Sequence, residues 1–263
     1  MEPGETQERQ GSQGPRHRGI YLLPNLFTTA GLFAGFYAIV AAIQGRYAPA
    51  GVAIFVAMLM DGIDGRVARL THTQSEFGVQ YDSLSDMVCF GVAPALVMYQ
   101  WALRSMADFG WMWAKAGWLA AFIYTAGAAL RLARFNTQVG TADKRYFLGL
   151  PSPSAAAVVA GLVWVGADMG VPGGRLAVAG FVLTLAAGLL MVSNLRYYSF
   201  KELDFRNRVP FVVTLFIVLL FVFTSIDPPK VIFGGFLAYV LSGPVLFLWR
   251  WRRRRRRTRS GSP

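Results

Sequence analysis

The sequence predicts an all-α integral membrane protein of about eight transmembrane helices, and three observations carry that expectation. Only 15% of the 263 residues are charged and 54% are hydrophobic, whereas a soluble domain carries roughly 25% charge. Long uncharged runs recur along the chain. The basic residues then collect in alternate segments between those runs. With 26 Lys and Arg against 14 Asp and Glu, the chain is basic as well as oily, at a formal charge of +12. That pairing excludes a disordered chain, a disulfide-rich secreted scaffold and an ordinary water-soluble enzyme. The one cysteine, Cys89, permits no intrachain disulfide framework or thiolate metal site, and its apolar context reads as a buried small hydrophobe.

The uncharged runs cover residues 20–45, 47–60, 87–103, 116–130, 146–167, 176–195, 209–226 and 231–249. A helix crossing a bilayer needs roughly 20 mostly apolar residues. Five runs meet or nearly meet that length, and the runs starting at 47, 87 and 116 meet it once their charged ends are included. The first run is too long for a cleaved signal peptide and lacks its flanking pattern. No soluble domain stands out. Residues 1–19 are polar and read as a flexible cytoplasmic N-terminus, 205–249 as two additional helices, and 250–263 as an Arg-rich cytoplasmic tail.

Eight spans put both termini on one side. With that side cytoplasmic, inside segments hold 21 basic residues and outside turns hold five: Arg46, Arg104, Lys115, Arg175 and Lys230. The positive-inside rule accepts this orientation and rejects its inverse, which predicts a multi-pass protein of the cytoplasmic membrane. Arginines 252–257 follow the last span directly. They suit anionic membrane lipids, at about 1 kcal/mol per basic residue near the surface, or a stop-transfer anchor. No aromatic platform or folded module accompanies them, so nucleic acid is not an expected partner.

Four of the fourteen acids fall where a carboxylate is expensive. Asp61 and Asp64 end the second span, and Asp82 and Asp86 begin the third. An ionisable group at membrane depth is read as functional by default. Asp61 and Asp64 are i, i+3 and Asp82 and Asp86 are i, i+4, so each pair shares a helix face. Gly65 and Ala68 continue the first face and leave room for a ligand, and Arg69 adds a cation one turn on. The polar stretch between 70 and 77 reads as a turn that brings the two pairs together. Four carboxylates in one pocket repel unless protonated or bridged by cations. Hard oxygen ligands select Mg²⁺, Mn²⁺ or Ca²⁺, and two such ions would clamp a phosphate or diphosphate.

Asp61-x-x-Asp64-Gly65-x-x-Ala68-Arg69, then eight residues, then Gly78-x-x-x-Asp82-x-x-x-Asp86, resembles the signature of the CDP-alcohol phosphatidyltransferases, with every fixed position present. Further segments resemble the membrane-embedded bacterial phosphatidylserine synthases of that family. These are Pro24-Asn25-Leu26-Phe27-Thr28, Arg131-Leu132-Ala133-Arg134-Phe135-Asn136, Gly149-Leu150-Pro151-Ser152-Pro153-Ser154, and Met191-Val192-Ser193-Asn194-Leu195-Arg196. Gly31 departs from relatives that carry Asn there. The resemblance implies a six-helix core over about 20–204, often in a homodimer, and two divalent cations on Asp61, Asp64, Asp82 and Asp86. Those ions would be Mg²⁺ or Mn²⁺, with Ca²⁺ accepted by the same oxygens in vitro. It implies Asp86 as general base, and CDP contacts from Asp61, Gly65, Arg69, Gly78 and Asp82. The implied reaction moves the phosphatidyl group of CDP-diacylglycerol onto the hydroxyl of L-serine and releases CMP.

An amino-acid acceptor carries a carboxylate, and cations at the ends of the fourth and sixth spans suit it. Arg134 and Asn136 come first, then Arg131 and Arg196; each also reads as positive-inside anchoring. Asn25 and Thr28 suit the nucleotide or its phosphates, and equally suit helix capping. The two histidines, His17 and His72, support no Ser-His-Asp or Cys-His mechanism, and no phosphate loop of the G-x-x-x-x-G-K type occurs. Two rivals remain. A sibling transferase would use the same site with inositol phosphate, glycerol phosphate or choline. A membrane transporter usually places its charges at midplane on repeated halves, and no internal repeat is evident here.

Overall fold

The computed structural model describes residues 22–71, 75–137, 146–198 and 223–259. The N-terminal segment 1–19, the tip of the 70–77 turn and most of the 209–226 run lie outside the described residues. The chain folds into α1 (Leu22–Ile43), α2 (Tyr47–Leu70), α3 (Glu76–Asp86), a π-helical turn (Met87–Val92), α4 (Ala93–Trp101) and α5 (Trp111–Thr137). A short strand β1 (Tyr146–Leu148), α6 (Ser152–Asp168), α7 (Ala177–Val192), β2 (Arg196–Tyr198) and α8 (Pro228–Arg259) follow. Short 3₁₀ turns cover Leu103–Phe109 and Gly173–Leu176.

Five of the described helical segments are long and apolar enough to cross a membrane. Glu76–Trp101 with Leu103–Phe109, bent by 41°, makes a sixth, and α6 is apolar but shorter. Among the described residues the protein is all-helical apart from one strand pair, and it is a multi-pass membrane protein. The expected total of eight is not reached among the described residues.

Two uncharged runs differ from their simplest reading. Residues 146–167 are not one helix. Gly149 takes φ +79°, and Pro151 precedes the first turn of α6. Residues ahead of them instead pair β1 antiparallel to β2, Tyr146 opposite Tyr198. The Gly149 and Leu150 amides donate to the Leu195 and Leu190 carbonyls at 2.8 and 3.0 Å, so the entry to α6 is fastened to the exit of α7. A charge count cannot see this, because the break is in backbone geometry rather than polarity. At the other end, α8 does not stop with its apolar run. It continues as 32 helical residues through the arginines to Arg259, about 48 Å of helix.

Small residues set the helix spacing. Without a hydrophobic difference between side chains and lipid tails, helices associate through close packing, which favours Gly and Ala at their seams. Ala34, Ala38, Ala41 and Ala42 of α1 are buried with Ala50, Ala53, Ile54 and Ala57 of α2, forming an antiparallel hairpin. A backbone-to-backbone seam joins α5 to α7. A Cβ on Gly127 would stand 2.5 Å from the Gly188 carbonyl oxygen, and one on Gly188 would stand 2.8 Å from the Tyr124 Cα. Backbone opposes backbone there, so neither side can yield by changing rotamer. Gly127→Val should therefore lower the melting temperature of the purified full-length chain, by about 1–3 kcal/mol of overpacking. Gly234→Ala, on an open face of α8, should leave the melt unchanged.

Candidate active site

The aspartates of α2 and α3 converge beside the first turns of α1. Asp61, Asp64 and Asp82 offer carboxylate oxygens that all lie within 4.8 Å of one another. Asp86 faces Asp61 at hydrogen-bonding range. All four line one narrow cleft together with Thr28, Ser85 and Cys89. The two helix pairs thus form a single cluster.

α1 holds that cluster in place. Thr28 is 5% exposed, and its Oγ1 donates to Asp64 Oδ2 at 2.8 Å; Asp64 itself is 4% exposed. Ser85, between Asp82 and Asp86, donates to the Thr28 carbonyl at 3.3 Å. One turn on, the Cys89 thiol donates to the Gly31 carbonyl at 3.3 Å. This contact needs a glycine at 35, since a Cβ there would stand 2.8 Å from Cys89 Sγ. Thr29 and Tyr81 hydroxyls meet at 2.9 Å on the outer flank. α1 therefore meets α3 and the π-helical segment after it through three hydrogen bonds, which fix the height of Asp82 and Asp86.

Below Asp86 the helix widens into the π-turn at Met87–Val92. Such turns displace carbonyls from the regular ladder and occur often at functional sites. Here α5 answers them: Tyr124 Oη donates to the Phe90 carbonyl at 2.9 Å, and Thr125 Oγ1 to that of Gly91 at 3.4 Å. Tyr124 is fully buried, so its hydroxyl needs this acceptor.

The expected nucleotide-facing residues sit on the open rim. Arg69 is exposed and its Nε donates to the Gly65 carbonyl at 2.8 Å. Among the described residues, no atom outside the local backbone of α2 lies within 4 Å of where a Gly65 Cβ would be, which leaves space there for a ligand. Gly78 lies beside Asn25, whose Oδ1 is 3.5 Å from a Cβ built at that glycine. Thr28 is placed otherwise than expected. It does not face the rim but is buried against Asp64, where it orients a carboxylate.

The acceptor candidates separate. Arg131 donates through Nη1 to Ser152 Oγ and lies within electrostatic reach of Asp86. Arg134 Nη1 donates to the Val192 carbonyl at 3.3 Å and to Asn194 Oδ1 at 3.2 Å, tying α5 to the end of α7. Asn136 Nδ2 donates to Ser83 Oγ at 3.1 Å, next to Asp82. The backbone of Arg196 lies in β2, and its side chain falls outside the described ones. Arg131 and Asn136 thus approach the aspartates from α5, while Arg134 is engaged with α7.

The cluster fits divalent cations on its own chemistry. Oxygen ligands bind Mg²⁺ or Ca²⁺ at roughly 2.0–2.6 Å, so two ligands of one ion stand up to about 5 Å apart, and three of the carboxylates meet that spacing. Among the described residues, no Lys or Arg nitrogen pairs with any of the four within 4.0 Å. Their mutual repulsion is left for bound cations to relieve. Sequence reasoning missed Ser83, Ser85 and Ser152. The first two were legible as small polar residues interleaved with the aspartates on α3; nothing in the sequence marked Ser152 as a partner of Arg131.

Comparison with known proteins agrees with this site. The family model for CDP-alcohol phosphatidyltransferase matches residues 21–193. A Helicobacter pylori (strain J99) protein named CDP-diacylglycerol–serine O-phosphatidyltransferase is 36% identical over 222 residues, covering 84% of this chain and 90% of its own. A protein of that name from Mycobacterium leprae is 30% identical over 245 residues, covering 89% and 73%. Another, from Methanocaldococcus jannaschii, is 34% identical over 149 residues, covering 57% and 63%. The match spans all four aspartates and both helices that carry them, and the chain belongs to the CDP-alcohol phosphatidyltransferase family.

Proposed function

We propose that this protein is a phosphatidylserine synthase, transferring the phosphatidyl group of CDP-diacylglycerol to L-serine. The observation that carries the reading is the convergence of Asp61, Asp64 and Asp82, with Asp86 beside them, in a chain whose relatives bear that enzyme's name. The serine oxygen attacks the phosphorus that bears the diacylglycerol, the bond from that phosphorus to the bridging diphosphate oxygen breaks, and CMP leaves. Divalent cations, Mg²⁺ or Mn²⁺, supply neutralisation of the diphosphate and of the leaving CMP when bound.

The chain's own residues do the rest. Asp61, Asp64 and Asp82 are the metal-holding set, and Asp86 shares it. A serine hydroxyl is a weak nucleophile, so a carboxylate within hydrogen-bond reach must accept its proton. Asp86 is assigned that role, because it lies outside the three-carboxylate group and on the side nearest Arg131. Arg131 and Asn136 suit the serine carboxylate, and Arg134 and Arg196 are further candidates. Arg69, Gly65, Gly78 and Asn25 form the rim for the cytidine and its phosphates. Thr28 is a positioning residue, acting through Asp64. Phosphoryl transfer needs alignment and charge neutralisation more than covalent help, so such positioning bears directly on rate. The positive-inside distribution supports a cytoplasmic site in the cytoplasmic membrane, and the family resemblance supports a homodimer among membrane lipids.

In liposomes containing CDP-diacylglycerol and Mn²⁺, CMP should be released with L-serine. It should not be released with glycerol phosphate, inositol phosphate or choline; release with one of those instead identifies a sibling activity. Asp86→Asn should abolish release while retaining CDP-diacylglycerol binding, and near-normal turnover would refute its role as base. Thr28→Val removes a hydrogen bond to a charged group, worth about 1.5–3 kcal/mol, and should slow turnover by about ten-fold or more, whereas Thr28→Ser should restore most of it.

A further inference from the structure

A second hollow opens at the opposite end of the bundle. Asp61 and Asp64 lie 14 and 17 residues along α2 from Tyr47, so this end stands roughly 20–25 Å from the aspartates. Three connections surround it: the α1–α2 turn, the end of α4 with the 3₁₀ turn after it, and the α6–α7 turn. The hollow has a volume of about 600 Å³ and opens to the surroundings.

Its walls are built by specific contacts. Tyr47 Oη donates to the Gln100 carbonyl at 3.1 Å, tying the start of α2 to α4. A Cβ on Gly173 would stand 1.9 Å from the Trp101 carbonyl oxygen, so only glycine lets the α6–α7 turn close on α4 there. Arg104 Nη1 donates to Gln100 Oε1 at 3.2 Å, which holds its guanidinium at the wall. The lining contributes two cations, Arg46 and Arg104, with the Ser105 hydroxyl and the aromatic faces of Tyr47 and Trp101. No acid lines it, and among the described residues neither arginine pairs with an acid within 4.0 Å.

Two guanidinium groups without an acid partner among the described residues suit a phosphate, because Arg presents a planar fork of donors to phosphate oxygens. They also stand against the charge distribution, since this end carries few basic residues. We infer that the hollow lined by Arg46 and Arg104 is a second binding site, separate from the aspartate cluster, for a phosphate group. Either a phospholipid head group or free phosphate supplies that group. The aromatic and proline side chains at its mouth suit the glycerol and acyl region of a lipid.

The test uses the full-length chain in phosphate-free detergent micelles and measures binding in two arms, one with inorganic phosphate and one with phosphatidylglycerol. Arg46→Gln/Arg104→Gln should weaken binding by about ten-fold or more. Arg175→Gln, a basic residue at the same end outside the lining, should bind as the unaltered chain does. Gly174→Asp, which puts a carboxylate into the hollow, should mimic the double variant. Retained CMP release certifies that each variant is folded and separates this result from failure of the aspartate site. Binding of phosphatidylglycerol alone identifies a lipid site, and binding of both ligands identifies a phosphate site. Undiminished binding in the double variant, equal loss in Arg175→Gln, or no binding in either arm would overturn the inference.

Discussion

Everything at the active end of this protein depends on holding like charges together. Two ionised carboxylates with oxygens within 4.8 Å of one another repel by about 3 kcal/mol or more even at an effective dielectric of 20. Left to itself, the α2–α3 hairpin would splay to relieve that repulsion. α1 prevents it. Its Thr28 hydroxyl donates to Asp64, while its Thr28 and Gly31 carbonyls accept hydrogen bonds from Ser85 and Cys89. The strained arrangement is the useful one, since a site that repels itself when empty gains most from divalent cations. Family membership is consistent with that logic: the chain's relatives act on a diphosphate-linked lipid, whose charge must be met at the membrane surface.

The same constraint explains the fold around the site. Helices that must keep carboxylates in register cannot be spaced by large, adaptable side chains. The seams are therefore alanine against alanine between α1 and α2, and backbone against backbone between α5 and α7. α5 then reaches the cluster with its polar end. Asn136 touches Ser83, Arg131 touches Ser152 at the start of α6, and Arg134 fastens the end of α7. Three helices are thus tied to the side of the site where a second, hydrophilic substrate would enter.

Much of this was readable from the residues. Four acids in an apolar context, at i, i+3 and i, i+4 spacing, point to a shared pocket, because carboxylates at membrane depth are expensive unless bridged, paired or protonated. The hairpin that joins them was equally legible, from the polar run between the two pairs. What escaped was set by backbone geometry. The π-turn at Met87–Val92 has no compositional mark, since its carbonyls are satisfied by Tyr124 and Thr125 from a distant helix. The β1–β2 pair hid inside an uncharged run because charge counts report polarity and not φ. Thr28 was noticed but placed on the ligand side, since a hydroxyl in the first turns of a helix reads as a cap or a contact. Only the packing of α1 against α2 shows that it faces Asp64.

The central claim is that these carboxylates form a divalent-cation centre. Mn²⁺ binding to the full-length chain in nanodiscs, followed by electron paramagnetic resonance in the presence of CDP-diacylglycerol, measures it most directly. Two bound ions per chain are predicted, with loss of both when Asp61 and Asp82 are replaced together by Asn. Absence of bound Mn²⁺, or binding that survives that replacement, would contradict it.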